Sequence, residues 1–486
     1  MDRLTPATDR VTLVGLDFGS TTSSALVASA RLGVNCATGR MEFGSPQIVY
    51  RSEPAFTPFD ENTIRLESIS ELLLEWLRQA GVEKSNIFSG GAIVTGLAAR
   101  RENARGLADL VESVIGDTVV ATADDPRLES WLSFMGSSAN LSRAHPGRNF
   151  LNLDIGGGTT NPALGHDGNV LATGCHFIGA RHLRFEPGTY RLTGHSEFGR
   201  AALDYLGIGA AVGDGLTQDD IARVIALSVR GLEAIVAGDV AHFTDDFGRL
   251  IEQVPFAFEE RGVPLSITFS GGVGELIYAA AAGQPLPSQT FYGDLGIDLA
   301  RGILASPLLS RDIGVFVPDN MGRATVQGLT LHSTDVSGTT LFLPVPSLLP
   351  LRDLPVVASV NGRANRAALG QALRLTGGSE RGACLQLEWD DAAPSLTDIR
   401  RFGADLAGAL CDVPQHNAAP LVLLTTANAG KAIGNYVTGW QQEHRNLIVI
   451  DEIPIRHAQF VNLGRPRHGV VPVSFYGLTR SHGDIG

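Results

Sequence analysis

The clearest pattern in the chain is an apolar run that ends twice in the same polar way. Leu13-Val14-Gly15-Leu16 runs into Asp17-Phe18-Gly19-Ser20-Thr21-Thr22, and Leu151-Asn152-Leu153 runs into Asp154-Ile155-Gly156-Gly157-Gly158-Thr159-Thr160. Each segment predicts a buried strand, a glycine-rich turn carrying hydroxyls, and a second strand. A third run, Pro264-Leu265-Ser266-Ile267-Thr268-Phe269, ends in Ser270-Gly271-Gly272-Val273-Gly274-Glu275. It predicts a strand, a glycine turn and a helix opening at Leu276, Ile277 and Tyr278.

Elsewhere the apolar period lengthens to that of a helix. Ile69, Leu72, Leu73, Trp76 and Leu77 predict a helix over 68–80 with Gly81 as its stop, after which 89–96 resumes as strand. Pro126 opens a helix within 124–136 whose apolar positions are Leu128, Trp131, Leu132 and Met135. Thr217 with Asp220 forms a capping pattern, and Asp219 and Asp220 suit the positive helix end. Ile221, Val224, Ile225, Leu232, Ile235 and Val236 then line one face before Gly238, a face expected to pack beside the strand ending at Ser270. Residues 314–328 read as strand, turn and a second helix start, with Gly328 allowing a close helix approach. The proline-rich stretch 343–355 marks a boundary, beyond which strands at 421–425 and 447–450 alternate with helical segments.

Length and charge narrow the class. A chain of 486 residues with 44% hydrophobic and 18% charged positions exceeds what one core usually supports, so two or three domains are expected. The formal net charge of −13 argues against a general nucleic-acid or anionic-membrane surface, so neither nucleic acid nor membrane is an expected partner. Cys36, Cys175, Cys384 and Cys411 lie far apart without a C-x-x-C pair, which fits reduced thiols in a cytosolic setting. The first residues lack the apolar core of a signal peptide. The run near Leu341 is broken by Pro344, Pro346 and Pro350, and no segment reaches spanning length.

The chemistry lies in the glycine turns. Glycines permit positive φ and close backbone approach to a phosphate, while backbone N–H groups and hydroxyls supply anion donors. A carboxylate among such donors makes sense once Mg²⁺ is present, since that ion keeps several waters and takes one or two carboxylates plus phosphate oxygens. Asp17 and Asp154 are therefore the candidate ligands of metal-bound water, or positioners of water. Gly19, Ser20, Thr21 and Thr22, with Gly156, Gly157, Gly158, Thr159 and Thr160, are the candidate phosphate contacts. Gly271, Gly272 and Gly274 let a flat base or ribose lie against main chain. Singly each motif is an ordinary turn; the three in this order point to a nucleotide clamp.

In that order the elements resemble the phosphate-1, phosphate-2 and adenosine motifs of the actin-like ATPase superfamily. Within it the chain resembles the ethanolamine ammonia-lyase reactivating factor (EutA) family. That resemblance rests on residues 14–22, Ile93-Val94-Thr95-Gly96, Asn103-Ala104-Arg105, 119–123, Leu128-Glu129-Ser130, 153–160 and 265–275. Toward the C-terminal end it rests on Gly430-Lys431-Ala432-Ile433-Gly434, Val449-Ile450-Asp451-Glu452 and Val470-Val471-Pro472-Val473, so it spans nearly the whole chain. It implies an α/β fold: an actin-like (ribonuclease H-like) two-lobed ATPase with an additional C-terminal α/β domain. Residues 1–147 would form the first lobe with the first connecting helix, 148–338 the second lobe, and 339–486 the C-terminal domain, a candidate for partner binding. ATP and Mg²⁺ are the implied cofactors, and ethanolamine ammonia-lyase the implied partner. The implied activity is a chaperone's: Mg-ATP drives exchange of damaged cobalamin for intact adenosylcobalamin, in the cytoplasm or at a bacterial microcompartment. A small-molecule kinase of the same fold and a nucleotide-gated scaffold or filament are the alternatives. The oligomeric state stays open, a dimer included.

Where DnaK-type relatives place a Glu before a Pro at the start of the first connecting helix, Asp125-Pro126 stands here, with Glu129 one turn on. Both are candidates for orienting the attacking water, against cap or surface roles. Glu275 is read either as a ribose contact or as a first-turn carboxylate favoured by the helix dipole. Two departures from the family pattern are Leu97, where an acidic residue is expected, and Pro162, which removes a ladder donor from the strand leaving the phosphate-2 turn. Ala429-Gly430-Lys431 mimics a P-loop but lacks the first glycine at Thr425, so a strand-to-helix junction is expected. Asp451-Glu452 mimics a metal-binding strand end, and a strand stop in solvent is the expected reading.

Overall fold

The computed structural model describes residues 10–479, apart from 37–38, 61–62, 96–102, 116–118, 124, 259–261, 377–380, 391–392, 414–418 and 441–445. Gly96, Leu97 and Asp124 therefore lie outside the described residues.

Three sheets carry the fold. In the first, Arg10–Phe18, Thr22–Val34 and Met41–Arg51 form an antiparallel meander, and Ile87–Val94 and Val119–Ala123 extend it in parallel. Helix Leu66–Ala80 covers one face, burying Ile69, Leu73 and Trp76, and ends where Gly81 takes φ 65°. The second sheet repeats the plan: Asn149–Ile155 pairs antiparallel with Thr160–His166 and parallel with Leu265–Ser270. This duplication, with two crossing helices between the halves, is the actin-like architecture.

Each connecting helix leans on the opposite lobe. Pro126–Ser137 packs on the second sheet, where a Cβ at Gly165 would fall 2.1 Å from the Phe134 ring. Ala324–His332 packs on the first sheet, where a Cβ at Gly15 would fall 2.1 Å from Thr330 Oγ1. The helices touch through glycines on both sides: a Cβ at Gly136 would meet Ala324 O at 1.9 Å, and one at Gly328 would meet Leu132 O at 2.0 Å. Any side chain at either position would force them apart.

The third sheet runs Thr334–Val336, Pro472–Leu478, Ala458–Leu463, Leu351–Asn361, Ala383–Glu388, Leu421–Thr425 and Leu447–Ile450. The last four strands are parallel and carry helices between them. This C-terminal unit is docked against the first lobe and the connecting helices. Arg467 donates to Ile87 O at 2.8 Å, Met41 N to Glu452 Oε2 at 3.0 Å, and Gly477 N to Asp125 Oδ2 at 2.6 Å. Tyr476 and Leu478 join Leu128, Leu132 and Leu329 in one apolar cluster.

The helix expected over 217–238 is Gln218–Ala237, with a reciprocal Thr217–Asp220 capping box and Gly238 at φ 66°. Its Leu232, Ile235 and Val236 share a core with Ile267 and Phe269 of the strand ending at Ser270. Two expectations are corrected. Residues 314–320 form no strand; the chain turns and enters a short 3₁₀ segment, Met321–Arg323, directly before the second connecting helix. Asp451 and Glu452 do not face solvent, since they are 0% and 6% exposed. Thr340 donates to Asp451, and Asn428 and Met41 N donate to Glu452, which turns a strand end into a buried corner. Pro162 leaves the phosphate-2 hairpin regular, with unbroken register from Thr160↔Ile155 to His166↔Asn149. Its carbonyl is used instead, accepting from Ser130 Oγ and Gly174 N.

Candidate nucleotide site

Asp17 lies near the C-terminal end of the central strand of the first sheet, and Asp154 near that of a strand flanked on both sides in the second, where open α/β sheets place ligands. Each is followed by the same turn: Gly19 N donates to Thr22 O at 3.0 Å, and Gly156 N to Thr159 O at 2.9 Å. The two turns meet across the cleft between the lobes. A Cβ at Gly157 would lie 2.4 Å from Thr21 Oγ1 and 3.6 Å from Ser20 Cβ, so glycine is what allows one phosphate turn to approach the other.

Asp17 is partly buried and accepts from Thr95 Oγ1 at 3.1 Å. Burial pushes its carboxyl up to about 7; the Thr95 hydrogen bond opposes this and the negative charge of Asp154 adds to it. Asp154 is 6% exposed and accepts from Ser270 Oγ at 2.6 Å, with a longer contact of 3.4 Å from Thr325 Oγ1. Burial pushes it up to about 6 against those two hydroxyls. The structure thus brings together two carboxylates, the charge of Asp154 acting on Asp17, an arrangement that costs free energy unless a cation or protons offset it. Thr21 Oγ1 is buried there without a hydrogen-bond partner. Paired acids beside an orphaned hydroxyl and two glycine turns fit Mg²⁺ and a phosphate chain, and Asp17 and Asp154 are the residues that could hold such a metal's water shell. Among the described residues no group of three or more His, Cys, Asp or Glu gathers to hold a metal by protein ligands alone.

Other sequence candidates sit as follows. Ser20 and Thr159 are buried at the turns, and Thr22 opens its strand with an exposed side chain. Thr160 turns inward, its hydroxyl spent on Ile178 O at 2.6 Å. Gly271 needs its glycine for the fold: it takes φ 78°, and a Cβ would lie 2.5 Å from Ile155 O. Gly272 faces open space, with nothing within 4 Å of a built Cβ, and Gly274 backs onto Phe269. Glu275 stands in the first turn of helix Gly271–Ala281, its carboxylate against Gly322 of the 3₁₀ segment. Glu129 is buried on the first connecting helix, 8% exposed. Asp125 caps that helix, accepting Leu128 N at 3.1 Å with one oxygen while the other holds Gly477 N.

Sequence reasoning gave no role to Thr95, Ser270, Thr325 or Asn152. Ser270 Oγ accepts from Asn152 Nδ2 at 2.8 Å, and Asn152 Oδ1 accepts from Thr268 at 3.1 Å and Ser138 at 3.3 Å. A buried polar chain therefore runs from Asp154 to the end of the first connecting helix. Thr95 and Ser270 both lie in stretches that carried the family resemblance, and a hydroxyl one or two residues beyond an apolar strand was the available signal.

A family model described as "Ethanolamine utilisation protein EutA" matches residues 9–479. The chain is 30% identical over 484 residues to the ethanolamine ammonia-lyase reactivase EutA of Escherichia coli (strain K12), covering 96% of this chain and 97% of that one. It is 29% identical over 487 residues to the protein of the same name from Salmonella typhimurium, with the same coverage of 96% and 97%. Among solved structures, an exopolyphosphatase from Cytophaga hutchinsonii aligns at a TM-score of 0.34 and 17% identity, covering 57% of this chain and 72% of that one.

Proposed function

The chain belongs to the EutA family, and on that premise we propose that it is an ATP-dependent reactivase of ethanolamine ammonia-lyase. The observation that carries the nucleotide half of this reading is the pairing of Asp17 and Asp154 at two matching glycine turns. The partner half rests on the relatives' names.

Bound Mg²⁺ would offset the two carboxylates and draw charge from the terminal phosphate. Thr95 and Ser270 hold Asp17 and Asp154 in place by hydrogen bonds, so little reorganisation is needed when the phosphate arrives. The turn N–H groups with Thr21 and Ser20 would grip the phosphates from both lobes, and Glu129 on the first connecting helix would orient the attacking water. ATP differs from ADP by the γ-phosphate that both turns reach, and a ligand shifts a conformational equilibrium only through such differential affinity. The lobes meet at Gly136 and Gly328, and the C-terminal unit rests on the same two helices. Closing on ATP and opening on ADP would therefore move that unit relative to the second lobe. Moving a lyase from 1:99 to 99:1 in a cofactor-releasing state takes about 5.5 kcal/mol of preference, which a nucleotide-dependent interface can supply. We place this cycle in the cytoplasm or at a microcompartment on the family likeness alone. Among the described residues no helix is long and apolar enough to cross a membrane.

The test uses ethanolamine ammonia-lyase inactivated by a cobalamin lacking its adenosyl group. Acetaldehyde production should return when this protein, Mg-ATP and fresh adenosylcobalamin are all present. Equal recovery without the protein or without ATP removes the reading. A phosphorylated small molecule would mark a kinase instead, and ATP-dependent light scattering a filament.

A further inference from the structure

Arg181 lies where the two phosphate turns meet, and neither the family motifs nor the turns themselves assign it a role. Its backbone N–H donates to Gly157 O at 2.6 Å, and its Cβ lies 3.3 Å from where a Gly157 Cβ would stand. The other neighbours of that point are Thr21 Oγ1 and Ser20 Cβ, both from the phosphate-1 turn. Arg181 is therefore rooted on the phosphate-2 turn, at the gap into which the orphaned Thr21 hydroxyl projects.

Its guanidinium has only weak partners. Nη1 reaches Tyr292 O at 3.3 Å and Asp294 Oδ2 at 3.7 Å, both longer than the preferred hydrogen-bond distance. Asp294 has another task, accepting from Gly296 N at 3.0 Å with Oδ1 at the start of helix Gly296–Ala305. A half-buried arginine with a loose partner, on a backbone fixed against a phosphate turn, is poised to exchange that partner for a better one. A phosphate offers this, since the guanidinium fork matches its oxygens in a two-bond, charge-assisted geometry.

We propose that Arg181 is a phosphate-binding residue of the clamp. It leaves Asp294 for the terminal phosphate of a nucleoside triphosphate and returns when only the diphosphate remains. It would read the γ-phosphate and place positive charge beside the transferring group. The 291–294 segment it releases carries Phe291 and Tyr292, exposed by 55% and 39%, so that surface would change with the nucleotide. The proposal rests on the nucleotide reading above.

Calorimetric titration of the full chain with Mg²⁺ and either ADP or a non-hydrolysable ATP analogue tests it, alongside thermal melts. Arg181→Ala should weaken the ATP analogue by about tenfold or more and leave ADP within about twofold, with Arg181→Lys in between. Asp294→Asn keeps the acceptor for Gly296 N and removes the competing charge, so it should strengthen the ATP analogue and not ADP. A merely structural ion pair would weaken both nucleotides in both variants, and that result, or no change in the ATP-to-ADP ratio, overturns the proposal. A parent protein that binds neither nucleotide removes the clamp reading itself and this inference with it.

Discussion

Ser270 stands opposite Asp154 in the parallel ladder and donates its hydroxyl to that carboxylate at 2.6 Å. The strand that leads into the third glycine turn thus also fixes the Asp154 carboxylate. One residue later Gly271 takes φ 78° to turn the chain into its helix. The Asp154 carboxylate and the glycine turn are therefore set by two consecutive residues, Ser270 and Gly271, and a shift of this strand would disturb both.

Asp17→Asn and Asp154→Asn keep shape while removing the charge that would serve a metal. ATP hydrolysis should fall by about 10²-fold or more in each, the scale of losing one preorganised electrostatic group. Reactivation of the lyase should disappear with it. Phosphate-release assays on both variants check this, and turnover equal to the parent's in both would falsify the assignment.

The same carboxyls predict a pH dependence. Burial raises Asp17 to about 7 and Asp154 to about 6, both above the unfolded value of about 3.9. A raised folded value means that the stabilising contribution is complete below about pH 4 and is lost as pH rises through 6 and 7. Ligand-free protein should melt lower near pH 8 than near pH 5, by a margin that narrows in the Asp17→Asn/Asp154→Asn double variant. Mg²⁺ affinity should run the other way and rise over that window. Melting curves recorded across pH decide the first point; parallel curves for parent and double variant would contradict it.

Gly272 and its neighbour separate ligand sterics from backbone strain. A Cβ at Gly272 has nothing within 4 Å, so Gly272→Leu should fold normally and lose ADP affinity by more than tenfold, roughly 1.4 kcal/mol or more. Gly271→Ala places a Cβ against Ile155 O at positive φ, and it should lower stability with or without nucleotide. Calorimetry and thermal melts distinguish them; an unchanged ADP affinity in Gly272→Leu means the nucleotide lies elsewhere.

The two carboxylates of the first connecting helix should part company. Asp125→Ala removes a helix cap and the tie to Gly477, so stability should drop by about 1–2 kcal/mol while hydrolysis by the folded protein changes little. Glu129→Gln should leave the melting point near the parent's and slow hydrolysis. Chemical denaturation paired with single-turnover rates gives the comparison, and the reverse pattern would move the water-orienting role to Asp125.

Much of this molecule was legible along the chain because its information is local. An apolar run ending in Asp-x-Gly commits a strand, a turn and a carboxylate within ten residues, and the Thr217–Asp220 box and Gly238 frame a helix by contacts three or four residues long. Leu421–Thr425 and Leu447–Ile450 were readable for the same reason, as unbroken buried runs. The strand expected near residue 314 was not, because a short apolar run such as Val315-Phe316-Val317 has no periodicity that separates strand from turn.

What the sequence determined by itself is the inventory: two acid-bearing glycine turns, a third glycine turn after them in fixed order, and a family likeness. Tertiary structure decided which distant groups complete them. Thr95 reaches Asp17 across 78 positions and Ser270 reaches Asp154 across 116. Met41 helps to bury Glu452 from 411 positions away, and Gly136 finds Gly328 at the crossing of the connecting helices. Hydrogen bonds and close packing act over a few ångströms in space and carry no mark of their partner along the chain. Sequence therefore specifies what each residue can do, while the fold alone specifies what it does it to.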